Sequence, residues 1–173
     1  MEETNNLLIA KRPTVTQSLF TGAAAEHYII SKMLLDGLDV YTPVVDDHGV
    51  DLLVRLDNGQ IIEVQIKSRS CNVAPKQAAL FAAISHKPHA NYYFVFYSQI
   101  LDAIWLMSSE DFVREASQNK DGKNKGKYTI NLAGLDKGEA IASPRFEKYR
   151  IENFALFKEM NEANALSAQH ILY

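Results

Sequence analysis

The sequence predicts an α/β (α+β) domain, a sandwich around a mixed sheet, and three observations carry that expectation. The hydrophobic periodicities run in the order helix, three-stranded meander, helix, strand, strand, helix. The chain has 173 residues, 47% hydrophobic and 23% charged, which is material for one sizeable core. No repeat, low-complexity tract or composition shift divides residues 1–173, so one domain is expected over that range.

The elements follow in order. From Thr16 to Leu35, Leu19, Ala23, Ile30 and Leu34 recur near helical spacing, and Gly37 is placed as a stop signal. A short strand is expected over Asp39 to Val45. Val50 to Leu56 and Ile61 to Ser68 read as two strands joined by Asp57-Asn58-Gly59, a strong hairpin signal. Pro75 to Ile84 is Ala-rich and reads as a helix, and Pro88 follows it. Tyr92 to Tyr97 is an aromatic and β-branched run suited to a buried strand, and Ala103 to Met107 is the next. Ser108 with Asp111 resembles a capping box for a helix reaching about Ala116. Gln118 to Lys127 is a polar loop with Lys120, Lys123, Lys125 and Lys127. A strand over Tyr128 to Leu132 and a helix after Pro144, with Ile151, Phe154, Ala155 and Leu156, complete the pattern.

Composition excludes several classes. No apolar run approaches the roughly 18 residues of a membrane span, and Met1 to Asn6 lacks the basic flank of a signal segment, so a soluble cytoplasmic protein without a membrane partner is expected. The single cysteine, Cys71, excludes an internal disulfide and a multi-thiolate zinc site, so any metal must be held by oxygen or histidine. A net charge of −3 gives no global sign of a nucleic-acid binder; positive charge would have to be segregated locally.

The hairpin carries the most information. A two-residue turn at Asn58-Gly59 would mix apolar and charged residues on both faces. A three-residue loop, with Gly59 left-handed as a bulge, instead sets Asp51 opposite Gln65 and Leu53 opposite Glu63. One face is then Leu52, Val54, Leu56, Ile62, Val64 and Ile66, and the other bears Asp51, Arg55, Glu63, Gln65 and Lys67. Because a one-residue slip exchanges the faces, burial of the apolar set selects this register. A polar strand face is ordinarily just solvated. Glu26 changes that reading, because it lies on the helical stripe of Gly22, Ala23, Ile29, Ile30 and Met33, where an acid needs a partner or a metal. If the stripe packs over the polar face, three carboxylates gather beside a lysine, a group suited to a hard divalent cation and to phosphoryl chemistry.

Gly22-x-x-x-Glu26, Gly49-Val50-Asp51 and Glu63-Val64-Gln65-Ile66-Lys67-Ser68-Arg69 together resemble the core of the PD-(D/E)XK nuclease superfamily, which includes restriction endonucleases and archaeal Holliday junction resolvases. The resemblance covers about Gly22 to Met107. It implies a restriction-endonuclease-like mixed β-sheet flanked by helices, with Asp51 as the metal-binding aspartate, Gln65 as the middle residue, Lys67 as the catalytic lysine and Glu26 as the helix acid. It adds the Ile66 carbonyl as a further metal ligand, and a homodimer as a frequent assembly. Most members carry Asp or Glu where this chain has Gln65, although some type IV restriction enzymes resemble it in carrying Gln-x-Lys. Glutamine keeps a carbonyl ligand and removes a charge, which Glu63 on the same face could supply.

Three functions follow. The first is a Mg²⁺- or Mn²⁺-dependent DNA endonuclease in which Asp51, Glu26 and either Glu63 or Gln65 hold the metal, Lys67 orients or activates water, and Arg69, Lys120, Lys123, Lys125 and Lys127 meet nucleic acid. Arg145, Lys148 and Arg150 form a further basic cluster. The second is a catalytically silent nuclease fold that binds nucleic acid or a protein, and the third an interaction protein with a merely solvated polar face. Other residues are read as structural: His48 beside Asp46 and Asp47 as loop, His27, His86, His89 and His170 as lacking ligand spacing, Cys71 as an idle thiol, and Trp105 with Tyr92 to Phe96 as core.

Overall fold

The computed structural model describes residues 16–45 and 49–160. Helix α1 spans Thr16–Leu35, as its periodicity predicts. It ends in a Schellman arrangement, with Gly37 at φ 77° and the Leu38 N–H donating to the Met33 carbonyl at 3.1 Å. The face it buries differs from the first stripe read above. Ala25, Ile29 and Met33 are buried, while Leu19, Ala23 and Leu34 are exposed. Apolar residues occur on several sides of α1, so periodicity alone does not select the inner one.

The strands are β1 (Asp39–Tyr41), β2 (Leu52–Arg55), β3 (Ile61–Arg69), β4 (Leu80–Ile84), β5 (Tyr92–Ser98), β6 (Ala103–Ser108), β7 (Ser117–Gln118), β8 (Tyr128–Asn131), β9 (Ala133–Asp136), β10 (Glu139–Ala142) and β11 (Arg150–Ile151). Six of them form a mixed sheet in the order β1-β2-β3-β5-β6-β11, in which β3 and β5 are parallel and the other pairs antiparallel. The hairpin has the register its two faces demand: Leu52 lies opposite Val64 and Leu53 opposite Glu63, and Gly59 has φ 83°.

Two layers cover this sheet. Leu52, Val54, Ile62, Val64, Ile66, Val95, Tyr97, Ile104 and Leu106 face α1, together with Phe154 and Phe157 from the C-terminal part. On the opposite face, Phe94, Phe96, Trp105 and Met107 meet Phe81, Ile84, Tyr128 and Ile130 of a second, antiparallel sheet ordered β4-β8-β7, and Phe112 of helix α2 (Ser109–Glu115). The α2 cap is the predicted one: the Ser108 hydroxyl accepts the Asp111 N–H at 3.1 Å.

The helical stripe of α1 therefore packs over the apolar face of the hairpin, not over its polar face as the sequence reading supposed. The polar row instead shares its side with the second sheet, because Glu63, Gln65 and Lys67 stand in register with Tyr92, Phe94 and Phe96 of β5. The Ala-rich 75–84 segment is also not a helix. It makes one 3₁₀ turn, Pro75–Gln77, and then β4, which delivers Phe81 and Ile84 to the core around a bulge with Ala83 at φ 59°. Burial of those two side chains outweighs the modest helix preference of alanine. The helix expected directly after Pro144 is a 3₁₀ segment, Pro144–Tyr149, leading into β11, and the chain is helical over 155–160. The β9-β10 hairpin, turning at Lys137-Gly138, was not anticipated. Among the described residues no helix is long and apolar enough to cross a membrane.

Candidate active site

The site begins where β2 starts. Gly49 turns the chain at φ 74°, and two residues later the Asp51 N–H donates to the Val64 carbonyl at 3.0 Å. The Asp51 carboxylate then accepts the Ile66 N–H at 2.5 Å, taking the place of a ladder carbonyl just before β2 begins. In a strand, the N–H and C=O of one residue face the same neighbour, so the Ile66 carbonyl lies on the Asp51 side of β3. Glu63 and Arg69 direct their backbone groups the other way, toward β5. Asp51 and the Ile66 carbonyl are thus neighbours by the geometry of the sheet.

Gln65, next to Ile66 on β3, is only 7% exposed, and no hydrogen bond to its side-chain amide occurs among the described residues. Its nitrogen lies against Gly49 so closely that a Cβ there would come within 2.3 Å. Tyr92 fixes Gly49 from beneath, its hydroxyl donating to the Gly49 carbonyl at 3.1 Å. The amide is not cut off from solvent: Gln65 lines a cleft, where water or a ligand can meet it.

Lys67 stands where two clefts meet. The larger, about 940 Å³, is lined by Gln65 and Lys67, by residues 82–87 and His89, and by Lys125, Gly126 and Lys127. Four of these are lysines, and among the described residues no Asp or Glu lines the cleft. The smaller, about 560 Å³, is lined by Glu26 and Gly22 of α1 and by Ile66, Lys67 and Arg69 of β3. Glu26 therefore approaches the end of β3 from the α1 side. No ion pair of Lys67 occurs among the described residues.

Glu63 is engaged elsewhere: its Oε2 meets His89 Nε2 at 3.0 Å. The basic candidates divide as well. Lys125 and Lys127 line the larger cleft, while Lys120 and Lys123 are exposed outside it. Their loop is also more ordered than a polar tract suggests, since backbone bonds join Asn119 to Gly126 and Lys127, and Gly122 to Lys125. Arg69 gives its Nε–H to the Leu80 carbonyl, and partial burial lowers its pKa. Arg145 and Lys148 do not form a free basic patch: both contact Glu115 at 2.9 Å, and Arg150 approaches Glu147 at 3.5 Å. Lys148 first and Arg145 second hold the Glu115 carboxyl down at about 2.

Among the described residues no three His, Cys, Asp or Glu side chains gather as a metal cluster. The Asp51 carboxylate meets the Ile66 backbone and Gln65 adjoins that residue on β3, so the oxygens near this position, the Asp51 carboxylate, the Gln65 amide oxygen and the Ile66 carbonyl, are of the kind hard divalent cations accept. The Gln65 amide opens on the larger cleft.

The sequence reading passed over Gly49 as a positioning residue, and over Lys87, His86 and His89 as cleft residues. The signal available was the His86-Lys87-Pro88-His89 loop leading into a strand parallel to β3. Burial, with His89 nearby, lowers the His86 pKa to about 4. Cys71 is exposed, and Trp105 is fully buried in the core. His48 and His170 lie outside the described residues.

No protein-family model matches the sequence, and no curated protein matches it significantly. In structure the chain is similar to a bacterial homing endonuclease, with a TM-score of 0.55 and 18% identity over 87% of this chain and 97% of that one. At that identity the likeness is one of fold: a six-stranded mixed sheet flanked by helices, in the manner of a nuclease.

Proposed function

We propose that the chain is a divalent-metal-dependent endonuclease that hydrolyses phosphodiester bonds in DNA, of the PD-(D/E)XK type in its Gln-x-Lys form. The observation that carries this reading is the Asp51 carboxylate held on the Ile66 N–H, between Gln65, which lines the larger cleft, and Lys67, which lines both. The fold neighbour, named as an endonuclease, supports it. Asp51, the Gln65 amide oxygen and the Ile66 carbonyl are the donors assigned to Mg²⁺ or Mn²⁺, with Glu26 adding a second carboxylate across the smaller cleft. When bound, such a cation supplies Lewis-acid polarisation of the phosphate and a lowered pKa for attacking water. Lys67 carries a different role: its ammonium holds a phosphate oxygen and offsets the charge that develops as the phosphodiester is attacked. Gly49 and Tyr92 keep the Gln65 amide in place. Lys125 and Lys127 meet flanking phosphates along the wall of the larger cleft.

The neutral Gln65 favours one second reading, a silent nuclease fold that binds nucleic acid without cutting it. Incubation of wild type and Lys67→Ala with plasmid and branched DNA in Mg²⁺ or Mn²⁺ separates the two. The proposal expects scission by the wild type only, with divalent binding retained in Lys67→Ala. An inert wild type with no measurable divalent binding moves the assignment to the binding module, and recovery of metal affinity in Gln65→Glu would identify the missing charge as the reason.

A further inference from the structure

The polar row of β3 continues beyond Lys67. At about 3.3 Å per residue, Glu63 lies about 13 Å from Lys67, which is the axial rise of about four base pairs. At that far end the His86–His89 loop meets the strand. His89 Nε2 faces Glu63 Oε2 at 3.0 Å and Nδ1 faces the Lys87 carbonyl oxygen at 2.9 Å. A carbonyl and a carboxylate only accept, so both ring nitrogens donate and the ring is an imidazolium in this arrangement. His86 has the opposite character. Burial, with His89 nearby, lowers its pKa to about 4, and its Nε2 lies 2.7 Å from Ser109 Oγ, which also accepts the His89 backbone N–H at 3.1 Å. The loop therefore presents one charged and one neutral imidazole, with the charged one on the cleft wall beside Lys87.

We propose that His89 is a phosphate-positioning residue: a nucleic-acid strand seated at Lys67 runs past this loop, and a flanking phosphate displaces Glu63 as the partner of His89. The proposal rests on reading the cleft as a nucleic-acid site. The exchange replaces one anion by another on the same imidazolium, so no charge is left unpaired on the ring. It also accounts for a carboxylate standing at the end of a row beside a cleft that holds four lysines. The Ser109 anchor on its backbone holds the His89 ring at the wall. The groups around His89 are Glu63 from β3, the Tyr92 ring from β5 at 4.6 Å, His86 and Lys87 from its own loop, and Lys67, Lys125 and Lys127 along the cleft. Because the contact needs the protonated ring, whose pKa the Lys87 carbonyl and then Glu63 raise above the ordinary histidine value, binding weakens as pH rises through and above neutrality.

The test is equilibrium binding of a short fluorescein-labelled DNA duplex by anisotropy, without divalent metal, for the full chain and for His89→Gln, Glu63→Gln and the double variant Lys125→Gln/Lys127→Gln. His89→Gln weakens binding by up to about fivefold, the scale of one exposed charge pair, and flattens the pH dependence. Glu63→Gln tightens binding by a similar factor, because the competing anion is gone, and its fall moves to lower pH. If both variants bind as wild type does across that range while the lysine pair weakens binding, the cleft remains a nucleic-acid site and the role of His89 is overturned. If wild type does not bind, or the lysine pair is indifferent, the cleft reading fails and this inference with it. In cleavage assays His89→Gln raises KM and leaves kcat; a loss of kcat at unchanged KM would put His89 in the chemistry and overturn the positioning role.

Discussion

Replacing Gly49 by alanine tests the closest packing in the site without depending on catalysis. Two contributions arise from the structure. The backbone at φ 74° is left-handed, which costs an L-residue about 1 to 2 kcal/mol. The new Cβ would also lie 2.3 Å from the Gln65 amide nitrogen and 3.4 Å from its carbon, so the amide, the far end of a flexible side chain on the cleft, must retreat by about 1 Å, a rotamer adjustment of up to about 1 kcal/mol. The expected loss is about 1 to 3 kcal/mol, read from urea midpoints at constant m. The two contributions separate in a double-mutant cycle with Gln65→Ala, which removes the amide and leaves the backbone strain. In that background Gly49→Ala costs only the first contribution, for a coupling of up to about 1 kcal/mol. Equal losses in both backgrounds would refute the argument, because the glycine would then be required by its φ alone and Gln65 would not be held by it. The same displacement lowers divalent affinity in Gly49→Ala, measured by titration calorimetry.

The remaining expectations follow from single contacts. Asp51→Asn keeps an oxygen for the Ile66 N–H, so it folds with near wild-type stability and loses cleavage, whereas Asp51→Ala leaves that N–H unpaired and loses about 1 to 3 kcal/mol more in urea unfolding. Lys125→Gln/Lys127→Gln lowers the log–log salt slope of DNA binding by up to about 1.8, while Lys120→Gln/Lys123→Gln leaves it in place; equal effects would deny the cleft its special role. Glu115 titrates well below its ordinary value, at about 2 in the folded chain. Its contribution is therefore fully present above about pH 4.5 and is lost as pH falls toward 2. Glu115→Gln should flatten the acid limb of a stability–pH curve in that window, and an unchanged limb would show that the Arg145 and Lys148 contacts do not act on folding.

What the sequence made legible was local and periodic. The hairpin register could be read because Leu52, Val54, Ile62 and Val64 alternate strictly with polar residues, so only one pairing buries them all. The C-terminal end of α1 and the cap of α2 could be read because Gly37 permits the left-handed turn that closes α1 and the Ser108 side chain accepts the Asp111 N–H. The covering of the polar row could not. It depends on β4 pairing with β8 some fifty residues later, a contact with no local trace, and it converts an apparently solvated face into one that buries Gln65. For the same reason Lys125 and Lys127 could not be told from Lys120 and Lys123, nor His89 from a solvated histidine, until that layer was in position. The nearness of Asp51 to Ile66 follows from the hairpin, because adjacency there needs nothing beyond the register.

The bond from Asp51 to the Ile66 amide has a spectroscopic consequence. A backbone N–H held by a carboxylate reports on that carboxylate, so the Ile66 amide proton is a built-in probe of the site. Its chemical shift should titrate with Asp51 and move again when divalent cation is added. Its exchange with solvent deuterium should quicken in Asp51→Ala, while the amides of Glu63 and Gln99, held by carbonyls in the ladder and the adjoining turn, stay protected. Occupancy of the site could thus be followed in a heteronuclear spectrum before any substrate is known.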